Sequence, residues 1–112
     1  MGAKSQRKGR AGELELSGIL QEHGFPVKLG IAQSYGTEPD LYGLPEIHIE
    51  VKRRERLDLS AAMTQAVRDS QKFRDGYPAV FHRRNREEWR VTMRLDDWIK
   101  LYNAFLSCEQ FK

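Results

Sequence analysis

Cys108 is the chain's only cysteine, so no disulfide can close within it, and a reducing cytoplasm is the expected setting. No apolar run approaches the length of a membrane span. The opening residues lack the apolar core of a signal peptide, and Gln6 stands where a myristoylation pattern needs Ser or Thr, so no membrane partner is expected. His48 has no His or Cys company that would suggest zinc, and His82 reads as a sheet residue. Internal repeats and linker-like shifts in composition are missing too, which leaves one domain over about 10–112 behind a basic flexible arm over 1–9. An excess of one charge sign is also lacking: 19 Lys and Arg against 16 Asp and Glu give +3, mild for a polyanion binder.

The basic residues are nevertheless grouped. Lys4, Arg7, Lys8 and Arg10 crowd the start, Lys52, Arg53, Arg54 and Arg56 follow one another closely, and Arg83, Arg84, Arg86 and Arg90 form a third group. Each is open to two readings, a solvated face or a surface that tracks phosphates.

Pro39 to Lys52 reads Pro-Asp-Leu-Tyr-Gly-Leu-Pro-Glu-Ile-His-Ile-Glu-Val-Lys, and its second half alternates strictly. Ile47, Ile49 and Val51 are expected to face a core, with His48, Glu50 and Lys52 on the other side. Gly43 and Pro45 mark a turn that can bring Asp40 back beside Glu50. Two carboxylates and an ammonium then share one surface. Mg²⁺ needs one or two carboxylates plus substrate oxygens, and a nearby ammonium can orient water or stabilise developing negative charge. An ordinary hairpin edge carrying solvated Glu-x-Lys would show the same residues.

Around this stretch the periodicities predict a helix from about Ala11 to His23, with Glu13 in its first turn, and strands over Phe25–Ile31, Pro39–Tyr42 and Glu46–Arg53. A second helix over Leu57–Arg74 is capped by Asp58 or Ser60, with Leu59, Met63, Ala66, Val67 and Ser70 on one face and Gln65 off it. Strands over Ala79–Arg83 and Trp89–Met93 follow. A last helix from Leu95 to Leu106 carries a stripe of Leu95, Trp98, Ile99, Tyr102, Phe105 and Leu106, expected first as core packing and second as a subunit interface. The order αβββαββα implies an α/β (mixed α+β) domain with a central mixed sheet flanked by helices.

Pro39-Asp40 followed by Glu50-Val51-Lys52 resembles the PD-(D/E)XK nuclease signature. Lys8-Gly9-Arg10 leading into a helix with Glu13, then Gln21-Glu22-His23-Gly24-Phe25, is similar to the opening of archaeal-type Holliday junction resolvases of that superfamily. The resemblance covers roughly the first half of the chain. It implies a restriction-endonuclease-like core and a Mg²⁺-dependent endodeoxyribonuclease, with Mn²⁺ able to substitute. Glu13, Asp40, Glu50 and the Val51 carbonyl would hold metal, Lys52 would assist the nucleophile, and Gln65 is a further catalytic candidate. Lys8, Arg10, Ser34, Arg53 and Arg54 are candidate DNA contacts. A four-way DNA junction is the implied substrate and a homodimer with two sites the implied assembly, in a bacterial or phage-infected cell. A nuclease of the VRR-NUC, flap or restriction type remains open, as do a noncatalytic DNA-binding module of nuclease fold and a small interaction protein with an incidental acidic cluster.

Overall fold

The computed structural model describes residues 3–30 and 38–108, with side chains from residue 9 onward. Ser34 lies outside the described residues, as does the side chain of Lys8. The elements are α1 (Ala3–Glu22), β1 (Lys28–Leu29), β2 (Leu41–Tyr42), β3 (Ile47–Arg53), α2 (Leu59–Phe73), β4 (Tyr77–Arg83), β5 (Arg90–Met93) and α3 (Leu95–Leu106). Their order and the mixed α+β class agree with the expectation from periodicity.

The first helix begins well before Ala11, so the segment expected as a loose arm over 1–9 is helical from Ala3. Ala, Lys, Gln and Arg are good helix formers without forming an apolar stripe, and apolar periodicity alone does not register them. Glu13 consequently sits mid-helix, and a first-turn dipole does not account for it.

The expected single sheet is two. β1 and β2 pair antiparallel as a short ribbon, while β3, β4 and β5 form a three-stranded sheet, parallel between β3 and β4 and antiparallel between β4 and β5. Gly43 lies just after β2 at φ 101°, and a Cβ there would stand 2.5 Å from the Pro26 carbonyl oxygen. That bend stops β2 after two residues.

Parallel pairing requires a crossover, and α2 supplies it. The result differs from the expected one-sided strand. Ile49 packs with Leu16, Leu41, Ala79 and Phe81 on one face, yet His48 (2% exposed) and Glu50 (9%) on the opposite face are buried as well. The buried positions of α2 are Ala62, Ala66 and Ser70, four residues apart, with Leu59 and Met63 at the margin; Val67 is only partly covered. Small residues let the helix lie close on the sheet, so the inward face is narrower and rotated from the one expected from side-chain size. Asp58 caps α2 by accepting from the Ala61 amide at 3.0 Å. The chain then leaves through Arg74 in the left-handed region and reaches Gly76, where the Tyr77 amide donates to Glu46 at 2.8 Å and starts the β3–β4 ladder.

α3 is not core. Only Asp97 is buried, held by Arg94 at 3.0 Å, while Leu95, Trp98, Ile99, Tyr102, Phe105 and Leu106 are between 41% and 67% exposed.

Candidate functional site

A cleft of about 210 Å³ opens between β3 and α2, lined among others by Asp40, His48, Glu50, Val51, Gln65 and Asp69. Strand alternation sends His48, Glu50 and Lys52 toward α2. On α2, Gln65 and Asp69 are one helical turn apart and therefore face the same way. The cleft is the place where these two patterns meet.

Its polar groups are joined in series. His48 Nδ1 lies 2.9 Å from both Asp75 oxygens, His48 Nε2 lies 3.3 Å from Glu50 Oε1, and Lys52 Nζ lies 3.6 Å from Glu50 Oε2. Lys52 then donates to Gln65 Oε1 at 2.9 Å. Burial alone would lower the His48 pKa, but hydrogen bonds to Glu50 and Asp75, together with their negative charges, outweigh it and leave the pKa raised. Phe73 stacks on the imidazole at 6.4 Å between centroids.

His48, Glu50 and Asp69 bring one ligand atom each to within 4.8 Å of one another. A buried nitrogen with two carboxylates is a donor set suited to a divalent cation, and Asp75 behind His48 stands where an outer-shell carboxylate orients a ligating imidazole. Asp40 lines the same cleft. Glu13 approaches Asp40 from α1 and is pushed up to about 7, first by burial and then by the Asp40 charge; the Arg10 hydrogen bond opposes this.

The expected residues are thus divided. Asp40, Glu50, Val51 and Gln65 share the cleft, Lys52 is tied to two of its members, and Glu13 adjoins Asp40. The candidate DNA contacts fare differently. Arg10 is engaged with Glu13 at 3.3 Å and the Gly30 carbonyl at 3.5 Å. Arg53 donates to Asn85 at 2.6 Å, stands 3.6 Å from Glu55 and packs against Gly12, so its guanidinium holds the β3 end to the 84–89 turn. Arg54 is exposed.

Asp69 and Asp75 were not legible as site residues. The four-residue spacing of Asp69 from Gln65 is the one signal that pointed to Asp69. His48 also gains acidic company that no neighbour in sequence except Glu50 suggests.

The chain matches no protein-family model, and no curated protein or solved structure matches it. No helix among the described residues is long and apolar enough to cross a membrane.

Proposed function

We propose that the chain is a metal-dependent DNA endonuclease of the PD-(D/E)XK kind, acting on branched DNA such as a four-way junction. The observation that carries the reading is the convergence of Asp40, Glu50 and Asp69 on one cleft with Lys52 held at its side. Glu50, Asp69 and Asp40 would hold the cation, Mg²⁺ or Mn²⁺, and the His48 nitrogen favours Mn²⁺ more than an all-oxygen set would. When bound, the ion polarises the phosphoryl oxygen and lowers the pKa of water. Lys52, fixed by Gln65 and Glu50, would orient the attacking water and balance charge as the phosphate oxygens become more negative. Asp75 restrains His48, and Phe73 shields one side of the imidazole from solvent.

The test is cleavage of a labelled four-way junction beside linear duplex, flap and single-stranded DNA, with Mg²⁺, with Mn²⁺ and with chelator. Paired nicks in the junction that vanish with chelator support the reading. Cutting of flaps or duplex instead moves the substrate to the flap or restriction type, and no cutting of any substrate overturns the catalytic reading.

A homodimer belongs to the same proposal. α3 presents Leu95, Trp98, Ile99, Leu101, Tyr102, Phe105 and Leu106 to solvent, and Tyr102 stacks on Trp98 and Phe105 at 5.1 and 6.3 Å. A helix apolar on most sides is stable in water only when another surface covers it. At about half exposure, with aromatics offering roughly 150–250 Å² each, these side chains present on the order of 600 Å². Two copies meeting α3 to α3 would bury roughly 1,200 Å², the lower bound for a stable dimer.

A further inference from the structure

A second cleft, also about 210 Å³, lies past the C-terminal ends of β3 and β4, and Arg54, Arg83, Arg84 and Arg90 all line it. Its cations differ in how far they are already neutralised. Arg83 is fully paired, because Nε and Nη2 donate to the two Glu15 oxygens at 2.6 and 3.1 Å. Arg90 is exposed and stands 3.9 Å from Glu87, too far for a strong pair. Among the described residues no carboxylate pairs with Arg54 or Arg84. His82 at the base contributes no charge near neutral pH: burial and then the Arg90 charge lower its pKa, and its Nε2 lies 2.9 Å from the Thr92 hydroxyl. Glu87 is the single acid among the described residues that line the cleft.

The cleft is reached from the acidic site along the same sheet, with Lys52 between them on β3. Lys52, His82 and Arg90 are in register across β3, β4 and β5, two rows beyond Glu50, Val80 and Thr92 and therefore on the same face of the sheet. Arg54 follows directly after β3, and Leu57 and Leu59, at the entry to α2, close the cleft.

We propose that this arginine cleft is a docking site for the sugar-phosphate backbone of double-stranded DNA, gripping two phosphates of the duplex whose backbone is presented to the Glu50 cluster. The nuclease reading enters only in naming DNA as the polyanion. The contact is made by guanidinium groups to phosphate oxygens, so it sets the path of the duplex and reads no sequence.

The experiment is fluorescence anisotropy of a labelled duplex with the full chain in chelator, across 50–200 mM salt. Wild type is compared with Arg54→Ala/Arg84→Ala and with Lys28→Ala/Arg68→Ala, which removes the same charge from exposed positions outside the cleft. The cleft variant is expected to lose at least tenfold in affinity and to flatten the plot of log affinity against log salt by roughly 1.8, about 0.9 for each phosphate no longer neutralised. Arg54→Lys/Arg84→Lys is expected to keep the wild-type slope, and Arg90→Ala to reproduce part of the loss. Equal slopes in the cleft and control variants, or no duplex binding by wild type, would overturn the proposal. Its failure is separable from that of the nuclease reading: binding through the cleft without cleavage of any substrate in Mg²⁺ or Mn²⁺ removes the catalysis and leaves the docking site.

Discussion

Lys52 Nζ donates to Gln65 Oε1 at 2.9 Å, joining the end of the motif strand to the middle of the following helix. The same ammonium lies 3.6 Å from Glu50 Oε2, so Gln65 fixes a cation that the carboxylate alone would leave mobile. Lys52→Ala is expected to reduce cleavage by a factor of about 10²–10³, the loss typical of one charge-stabilising donor. Gln65→Ala should cost less, about tenfold, with the melting temperature little changed because Gln65 is only half-buried. Single-turnover cleavage at saturating enzyme measures both.

Metal affinity should follow His48, Glu50 and Asp69 and not the sequence motif alone. Titration calorimetry with Mn²⁺ is expected to show binding lost in Glu50→Gln and weakened about tenfold or more in Asp69→Asn. His48→Gln should weaken Mn²⁺ more than Mg²⁺, since it removes the one nitrogen donor. Unchanged Mn²⁺ binding in Asp69→Asn would remove Asp69 from the site.

The Glu13 carboxyl carries a pH signature. Its folded pKa of about 7 lies above the usual 4.5, so the folded chain holds that proton more tightly than the unfolded one. Stability from this group is present below about pH 4.5 and is lost as pH rises through about 7. Measured by thermal melting without metal, wild type should lose stability relative to Glu13→Gln between pH 5 and pH 8. A gap that is the same at both values would show that Glu13 titrates normally.

Gly76→Ala should destabilise the fold by about 2 kcal/mol or more, combining a left-handed φ with a backbone clash. Gly76 sits at φ 131°, and an added Cβ would lie 2.2 to 2.4 Å from Glu46 and Ile47 backbone atoms. Denaturant unfolding checks this, and because those atoms start the β3–β4 ladder, relaxation cannot be confined to a side chain.

Dimerisation through α3 is expected to fail in Ile99→Glu/Tyr102→Glu. Light scattering should give twice the chain mass for wild type and the chain mass for the variant, with the β-sheet unfolding transition kept, because neither residue is buried in the described fold.

Much was legible in residue order because it depends on neighbours. The alternation of Ile47 to Lys52 specifies a strand wherever it lies, Asp58 is a helix cap by its own side chain, and the αβββαββα order follows from periods of two and 3.6. Asp40, Glu50 and Lys52 were singled out by their spacing together with a family resemblance. What no local pattern contains is which surface covers which. The α2 crossover buries His48 and Glu50, which alternation alone leaves facing outward, and it carries Asp69 and Asp75 across to them. Arg53 and Arg54 are adjacent and chemically alike, yet the pleat turns one onto Gly12 and Asn85 and leaves the other open to solvent. Strand geometry puts neighbours on opposite sides, and only the packing of helices against those sides decides which charge is paired within the fold and which is open to a partner.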